Sequence, residues 1–266
     1  MYKILFLDID GTITPMCGQK TSLLVAESLR RLEACGVPVC LNTGRNVVQS
    51  LPIAGSLRLS SPFSALDGLY IYDPVSCEFL YKNPMSSELS AGIVGIAKAC
   101  GLFIESANAF DYYRCVNGLP QFDYDGGFGH IINYTDDLNE MAEKCSDSAS
   151  IIIAGDKTAL DDAVLEINKI SGGDVTIREF WDGYINISPK NTGKAFGMKF
   201  ICDYYKMLLS EAVAIGDFAN DIDMILAAGM GVAMGNATDD VKNVCDYTTE
   251  TVENDGVAAA VRKFFV

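Results

Sequence analysis

The sequence predicts an α/β protein: an open parallel sheet built from the two ends of the chain, interrupted by an inserted α+β domain. Three observations predict it. A short apolar run near the N-terminus, Ile4 to Ile9, breaks at Gly11 and Thr12 and is followed by a helical stretch and a second apolar run. The same alternation returns near the C-terminus, where Ala212 to Ile215 precedes a loop, a helix and Gly231 to Met234. Between about 82 and 184 the texture changes, with aromatics crowded between Phe103 and Phe128.

In the first unit, residues from about 21 to 35 carry Leu24, Leu29, Leu32 and Cys35 near helical spacing, with Gly36 as a C-cap and Val37 to Leu41 as the next strand. That is a βαβ unit with its crossover. Near the C-terminus the helix is expected from about Asp221 to Ala228, stopped by Gly229. The insertion, entered near Tyr81 and left near Ile185, shows helical stretches near 86–100 and 157–170 and a β-prone run from Ser150 to Ile153. The expected division is therefore a core of 1–81 with 185–266 and an inserted domain of 82–184.

Composition removes several classes. With 266 residues, 49 % of them hydrophobic, the chain can bury one large core or two unequal ones. Apolar runs stop short of the ~20 residues a membrane span needs, and FLDID places charge where a signal peptide is apolar, so a soluble, cytoplasmic protein is expected. Nine cysteines without a CxxC pair fit neither a disulfide framework nor a zinc ribbon. A net charge of −15 with twenty basic residues offers no positive track for nucleic acid. The same field opposes anionic substrates, so a phosphate site needs a metal ion or a placed lysine. Oligomeric state is open.

Four distant segments end or follow a predicted parallel strand: DIDGT at 8–12, NTGR at 42–45, Lys194 after the Ile185–Ser188 run, and GDFAND at 216–221. Ligands bind at the carboxyl ends of strands in open α/β sheets, so these segments can converge. Asp8, beside a divalent cation, would stay ionised and attack phosphorus. Asp10 would protonate the departing oxygen and then take a proton from water. Gly11 allows the sharp turn and close backbone approach. Thr43 supplies a hydroxyl, Gly44 an unobstructed N–H and Lys194 a fixed charge for the phosphate, while Lys190, four residues earlier, competes for that last role. Arg45 and Asn220 complete the phosphate- or substrate-binding set. Asp8, the Asp10 carbonyl and Asp217 supply hard oxygens for Mg²⁺. Asp221, together with Asn220, orients these groups.

These motifs, with the tail GDFANDIDMILAAGMGVAMGNA and the later NDGVAAAV, resemble the haloacid dehalogenase superfamily in its Cof-type branch. The likeness covers roughly 1–73 and 185–266. It implies a Rossmann-like core, a mobile inserted cap of the class IIB (C2B) kind that sets specificity, and Mg²⁺-dependent hydrolysis of small phosphorylated metabolites, sugar phosphates above all. It also implies Asp8 as nucleophile, Asp10 as acid/base, Thr43 and Lys194 as phosphate binders and Asp217 as metal ligand. Two positions depart from the family pattern: Ala195 stands for the glycine after the third-motif lysine, and Asp67-Gly68 for an Asn-Gly.

A phosphomutase or phosphotransferase of the same fold and a non-catalytic metabolite-binding regulator are the alternatives; loss of Asp8 or Asp10 would mark the regulator, and both are present. With His130 the only histidine, neither a Ser-His-Asp triad nor a histidine-rich metal site is readily built. GGFG at 126–129 lacks the strand-to-helix setting of a dinucleotide fingerprint. Trp181 and Tyr184 read as cap packing. Within the insertion, Tyr112, Tyr113, Arg114, His130 and Arg178 are the candidates to touch a leaving group.

Overall fold

Strand β1 (Ile4–Leu7) is buried at all four positions. A strand covered on both faces of a parallel sheet needs an unbroken apolar run, and ILFL provides it. The structure, a computed structural model, describes residues 2–15, 20–115, 132–135, 137–144 and 147–265. It divides into two compact units, Met1–Lys82 with Thr192–Val266, and Asn83–Asn191.

In the first unit β1 is followed by α1 (Leu23–Ala34), β2 (Val39–Leu41), α2 (Val47–Leu57), β3 (Phe63–Ala65), β4 (Tyr70–Asp73) and β5 (Glu78–Lys82). Ser22 caps α1, its hydroxyl accepting from the Val25 N–H at 3.1 Å, and Gly36 turns the chain out with φ 85°. Asn46 and Gln49 form a reciprocal capping box on α2. Strands β3, β4 and β5 make a small antiparallel sheet, joined to the end of β2 by a parallel bridge between Asn42 and Ser64. At its last strand the Tyr81 ring packs on Phe196 and Phe200, centroids 5.0 and 5.5 Å away.

The second unit runs α3 (Ser87–Ala99), β6 (Phe103–Ala107), β7 (Tyr112–Cys115), β8 (Ile132–Thr135), α4 (Leu138–Lys144), β9 (Ser150–Ala154), α5 (Lys157–Ser171), β10 (Val175–Trp181) and β11 (Tyr184–Pro189). Its six strands lie in the order β10-β11-β9-β6-β7-β8, antiparallel except for β7 with β8. One sheet face, with Ile104, Ile151, Ile153 and Ile187, packs on Ile93, Leu160, Ala163 and Ile167 of the helices. On the opposite face a register row runs Arg178, Asn186, Ile152, Glu105, Arg114, Tyr134.

The chain returns to the first unit as α6 (Lys194–Tyr204), β12 (Ala212–Gly216), α7 (Ile222–Ala227), β13 (Met230–Ala233), α8 (Asp239–Lys242), β14 (Tyr247–Thr248) and α9 (Gly256–Phe264). The parallel sheet has the order β14-β13-β12-β1-β2, so the two ends of the sequence meet where β1 pairs with β12.

One expectation is corrected. The run Ile185–Ser188 does not lead into Lys194 as a parallel strand of the core; it is part of β11, which pairs antiparallel with both β10 and β9. Ile185 and Ile187 are buried while Asn186 and Ser188 are partly exposed, the alternation of a strand with one covered face. The crossings therefore fall at Lys82/Asn83 and Asn191/Thr192. Tyr113 also departs from its group, packing against the helix-side core while Tyr112 and Arg114 point to the other face. His130, the GGFG run and the Trp181 side chain lie outside the described residues. Among the described residues no helix is long and apolar enough to cross a membrane, and seven cysteines are free thiols.

Candidate active site

Register brings the acids together. Leu7 pairs with Ile215, and the Asp8 N–H donates to the Ile215 carbonyl at 3.1 Å, so the chain leaves β1 beside the place where β12 delivers Asp217. Gly11 holds φ 76°, and a Cβ there would sit 2.1 Å from Asp217 Oδ2, so only glycine lets the first loop pass. Thr12 donates its hydroxyl to Asp217 Oδ1 at 3.0 Å.

Lys194, the first residue of α6, is fully buried. Its Nζ donates to Asp8 Oδ1 at 2.6 Å and to Asp221 Oδ1 at 2.5 Å. The other oxygen of Asp221 accepts from the backbone N–H groups of Asp217 and Phe218 at 2.8 and 3.0 Å. Lys190, exposed, belongs to the second unit, so Lys194 is the lysine of this cluster. Arg45 grips Asp10 with two bonds, Nε to Oδ2 at 2.7 Å and Nη2 to Oδ1 at 2.5 Å. Thr43 is buried, and its hydroxyl accepts from the Arg45 N–H at 3.1 Å. Asn220 donates to Asp67 Oδ1 at 3.1 Å.

The electrostatics follow from burial. Desolvation raises the Asp8 pKa well above the ordinary value, with Asp221 and Asp217 adding to it and Lys194 opposing. Burial, then the Asp221 charge, lift Asp217 to about 7. Burial alone would lower the Lys194 pKa, but the carboxylates of Asp221, Asp8 and Asp67 outweigh it, and the ammonium is held above its usual value.

Asp8, Asp217 and Asp221 each offer an oxygen within 4.8 Å of the others, all buried, and two of the three carboxylates are reluctant to ionise without further positive charge. An all-oxygen set of this kind fits a hard divalent cation. Because both Asp221 oxygens already accept hydrogen bonds, Asp8 and Asp217 are the carboxylates best placed to hold it.

Thr12, Asn42, Asp67, Asp223 and Asn236 support the site without having been singled out for it in the sequence. Asn42 donates to the Lys194 carbonyl at 2.8 Å, Asp223 accepts from the Ala195 N–H at 3.1 Å, and Asn236 donates to the Gly11 carbonyl at 2.8 Å. Each lies in a stretch quoted above: Thr12 in DIDGT, Asn42 in NTGR, Asp67 in Asp67-Gly68, and Asp223 and Asn236 in the tail.

A parallel sheet whose carboxyl edge gathers buried acids and a lysine has its candidate site where ligands bind in open α/β folds. The family follows from comparison: the haloacid dehalogenase-like hydrolase model matches residues 5–261, and the chain belongs to that family. The chain is 26 % identical over 271 residues to the Bacillus subtilis 5-amino-6-(5-phospho-D-ribitylamino)uracil phosphatase YitU, covering 98 % of this chain and 97 % of that one. Identity to YcsE of the same organism, a phosphatase of the same name, is 28 % over 274 residues, with 98 % and 94 % covered. A haloacid dehalogenase-like hydrolase from Bacteroides thetaiotaomicron superposes with TM-score 0.86 at 29 % identity over the whole of both chains. A HAD subclass IIB sugar phosphatase shares the fold at TM-score 0.80 and 23 % identity, with 98 % of each chain covered.

Proposed function

We propose that this chain is a Mg²⁺-dependent phosphatase of small phosphorylated metabolites, sugar phosphates foremost, acting in the cytoplasm through a phospho-aspartate on Asp8. The observation that carries the reading is the buried Asp8–Lys194–Asp221 cluster beside Asp217, at the edge where β1 and β12 end.

In this reading an Asp8 carboxylate oxygen forms the bond to phosphorus as the ester P–O bond breaks, and Asp10 gives its proton to the leaving oxygen. Water then attacks the phospho-aspartate, its proton passing to Asp10, and inorganic phosphate leaves with Asp8 restored. In the structure both Asp10 oxygens accept from Arg45, so Asp10 must part from at least one of these N–H groups to carry that proton. Thr43, the Gly44 N–H and Lys194 bind the phosphoryl oxygens, Asn220 assists them, and Asp221 fixes Lys194 and the Asp217 loop. Asp8, the Asp10 carbonyl and Asp217 would hold Mg²⁺, which when bound supplies positive charge to the phosphoryl oxygens.

The test is a screen of phosphorylated sugars, nucleotides and cofactors with Mg²⁺ present. Inorganic phosphate should be released without a bisphosphate activator. Transfer to a sugar hydroxyl in place of release, or no turnover of any ester, would refute the reading.

The second unit, in the role of cap, is assigned the choice of ester, because all the residues named for the chemistry lie in the first. The row on the sheet face opposite the helices carries Glu105, buried, receiving the Tyr112 hydroxyl and Arg114 Nε, the latter at 2.5 Å. A buried pair of this kind is costly to break and a weak source of net stability. Alanine at Arg178 or Asn186, less buried members of the row, should change kcat/KM unequally among good substrates. The effect on p-nitrophenyl phosphate should be much smaller. Equal losses on both would show that this face does not select.

A further inference from the structure

Three of the four segments at the carboxyl edge are tied to one residue that none of them contains. Asp67 follows β3 in a left-handed backbone conformation, φ 50°. Its N–H donates to the Thr43 carbonyl at 3.0 Å, and its own carbonyl accepts from the Gly193 N–H at 2.8 Å and the Thr192 hydroxyl at 2.7 Å. Its Oδ1 accepts from Asn220 Nδ2 at 3.1 Å. A Cβ placed on Gly44 would lie 3.5 and 3.6 Å from the two Asp67 carboxylate oxygens and 3.7 Å from Asn220 Nδ2. The carboxylate and the amide therefore border the Gly44 turn together.

The geometry points to Asp67 as a positioning residue for phosphate: its carboxylate fixes the Asn220 amide so that the second N–H of Asn220 is presented beside Gly44 to a phosphoryl oxygen. The inference rests on the phosphatase reading for the identity of that oxygen. A primary amide has two donors at one end and an acceptor at the other, whereas an ionised carboxylate only accepts. Facing Asp67, Asn220 can turn only its nitrogen inward, and the bond is charge-assisted. A neutral amide such as the Asn of the family pattern can accept through its oxygen or donate through its nitrogen, and so leaves the orientation of Asn220 less determined.

The backbone bonds of Asp67 survive side-chain substitution, so its structural and positioning roles separate. Asp67→Asn keeps the size and the tolerance for a left-handed backbone; Asn220→Ala removes the amide. Inorganic phosphate, titrated calorimetrically in Mg²⁺ into the wild type, both single variants and the double variant, is the probe. Asp67→Asn should weaken phosphate binding about tenfold and raise KM for p-nitrophenyl phosphate more than it lowers kcat, with an unchanged melting temperature. The double variant should bind no more weakly than Asn220→Ala alone. Unchanged phosphate binding in Asp67→Asn, additive losses in the double variant, a loss seen only in melting temperature, or no phosphate binding by the wild type would each overturn the inference. Turnover of p-nitrophenyl phosphate by the wild type tests the phosphatase reading separately.

Discussion

Asp8→Asn is expected to lower kcat at least ~10³-fold, about 4 kcal/mol of barrier, while the protein stays folded. An amide of the same shape can keep the place at the end of β1, where the backbone N–H to Ile215 holds the residue, but it cannot form the bond to phosphorus. Among the described residues of the cluster, Asp221 has both oxygens committed, Asp10 is gripped by Arg45 and Asp217 is assigned to the cation. Asp8→Ala should lose as much. Folding is checked by circular dichroism and turnover by phosphate release from a good substrate. Near-normal turnover by either folded variant would end the covalent mechanism.

Chelation should stop the reaction, Mg²⁺ should restore it, and Asp217→Ala should reproduce the chelated state even with Mg²⁺ present. The same ion should leave a mark on stability. Without it, Asp217 in the folded protein holds its proton up to about 7, whereas the unfolded chain gives that proton up near about 4. Between those values the native state binds more protons than the unfolded one, so this residue's contribution falls as pH rises through the window and stays unfavourable above it. A cation that binds the ionised carboxylate relieves that cost. Mg²⁺ should thus raise the melting temperature more at pH 8 than at pH 5, and the difference should shrink in Asp217→Ala. Equal gains at both pH values, or full activity after exhaustive chelation, would refute the assignment.

Much of the parallel core was legible because its strands are apolar at every position: ILFL, VCL and AVAIG announce burial on both faces. The acids at their ends were legible because DIDGT and GDFAND each put carboxylates next to a glycine, and glycine is what the crowding of Gly11 against Asp217 requires. The strand ahead of Lys194 lies close to the lysine in sequence but not in the same sheet: YINIS alternates apolar and polar residues, the mark of the one-sided antiparallel strand it forms. The β3–β5 sheet went unread because its strands are short and its pairing depends on left-handed residues at Leu66, Asp67 and Cys77, which a residue type alone does not signal. The Asp67 contacts were out of reach for a different reason. They join positions 43, 192, 193 and 220, and only the folded chain makes those positions neighbours.

Tyr81, packed on Phe196 and Phe200, has a consequence for how such a chain can change over time. The first unit closes on itself at that aromatic contact, so the 109 residues from Asn83 to Asn191 depart from and return to a loop whose two stems are already stapled. Closing entropy grows only slowly with the length of what is inserted, and the aromatic contact holds the two stems together in the folded unit. The insert can accordingly be lengthened, trimmed or exchanged as a cassette, while the sheet that carries the acids keeps its register and its chemistry.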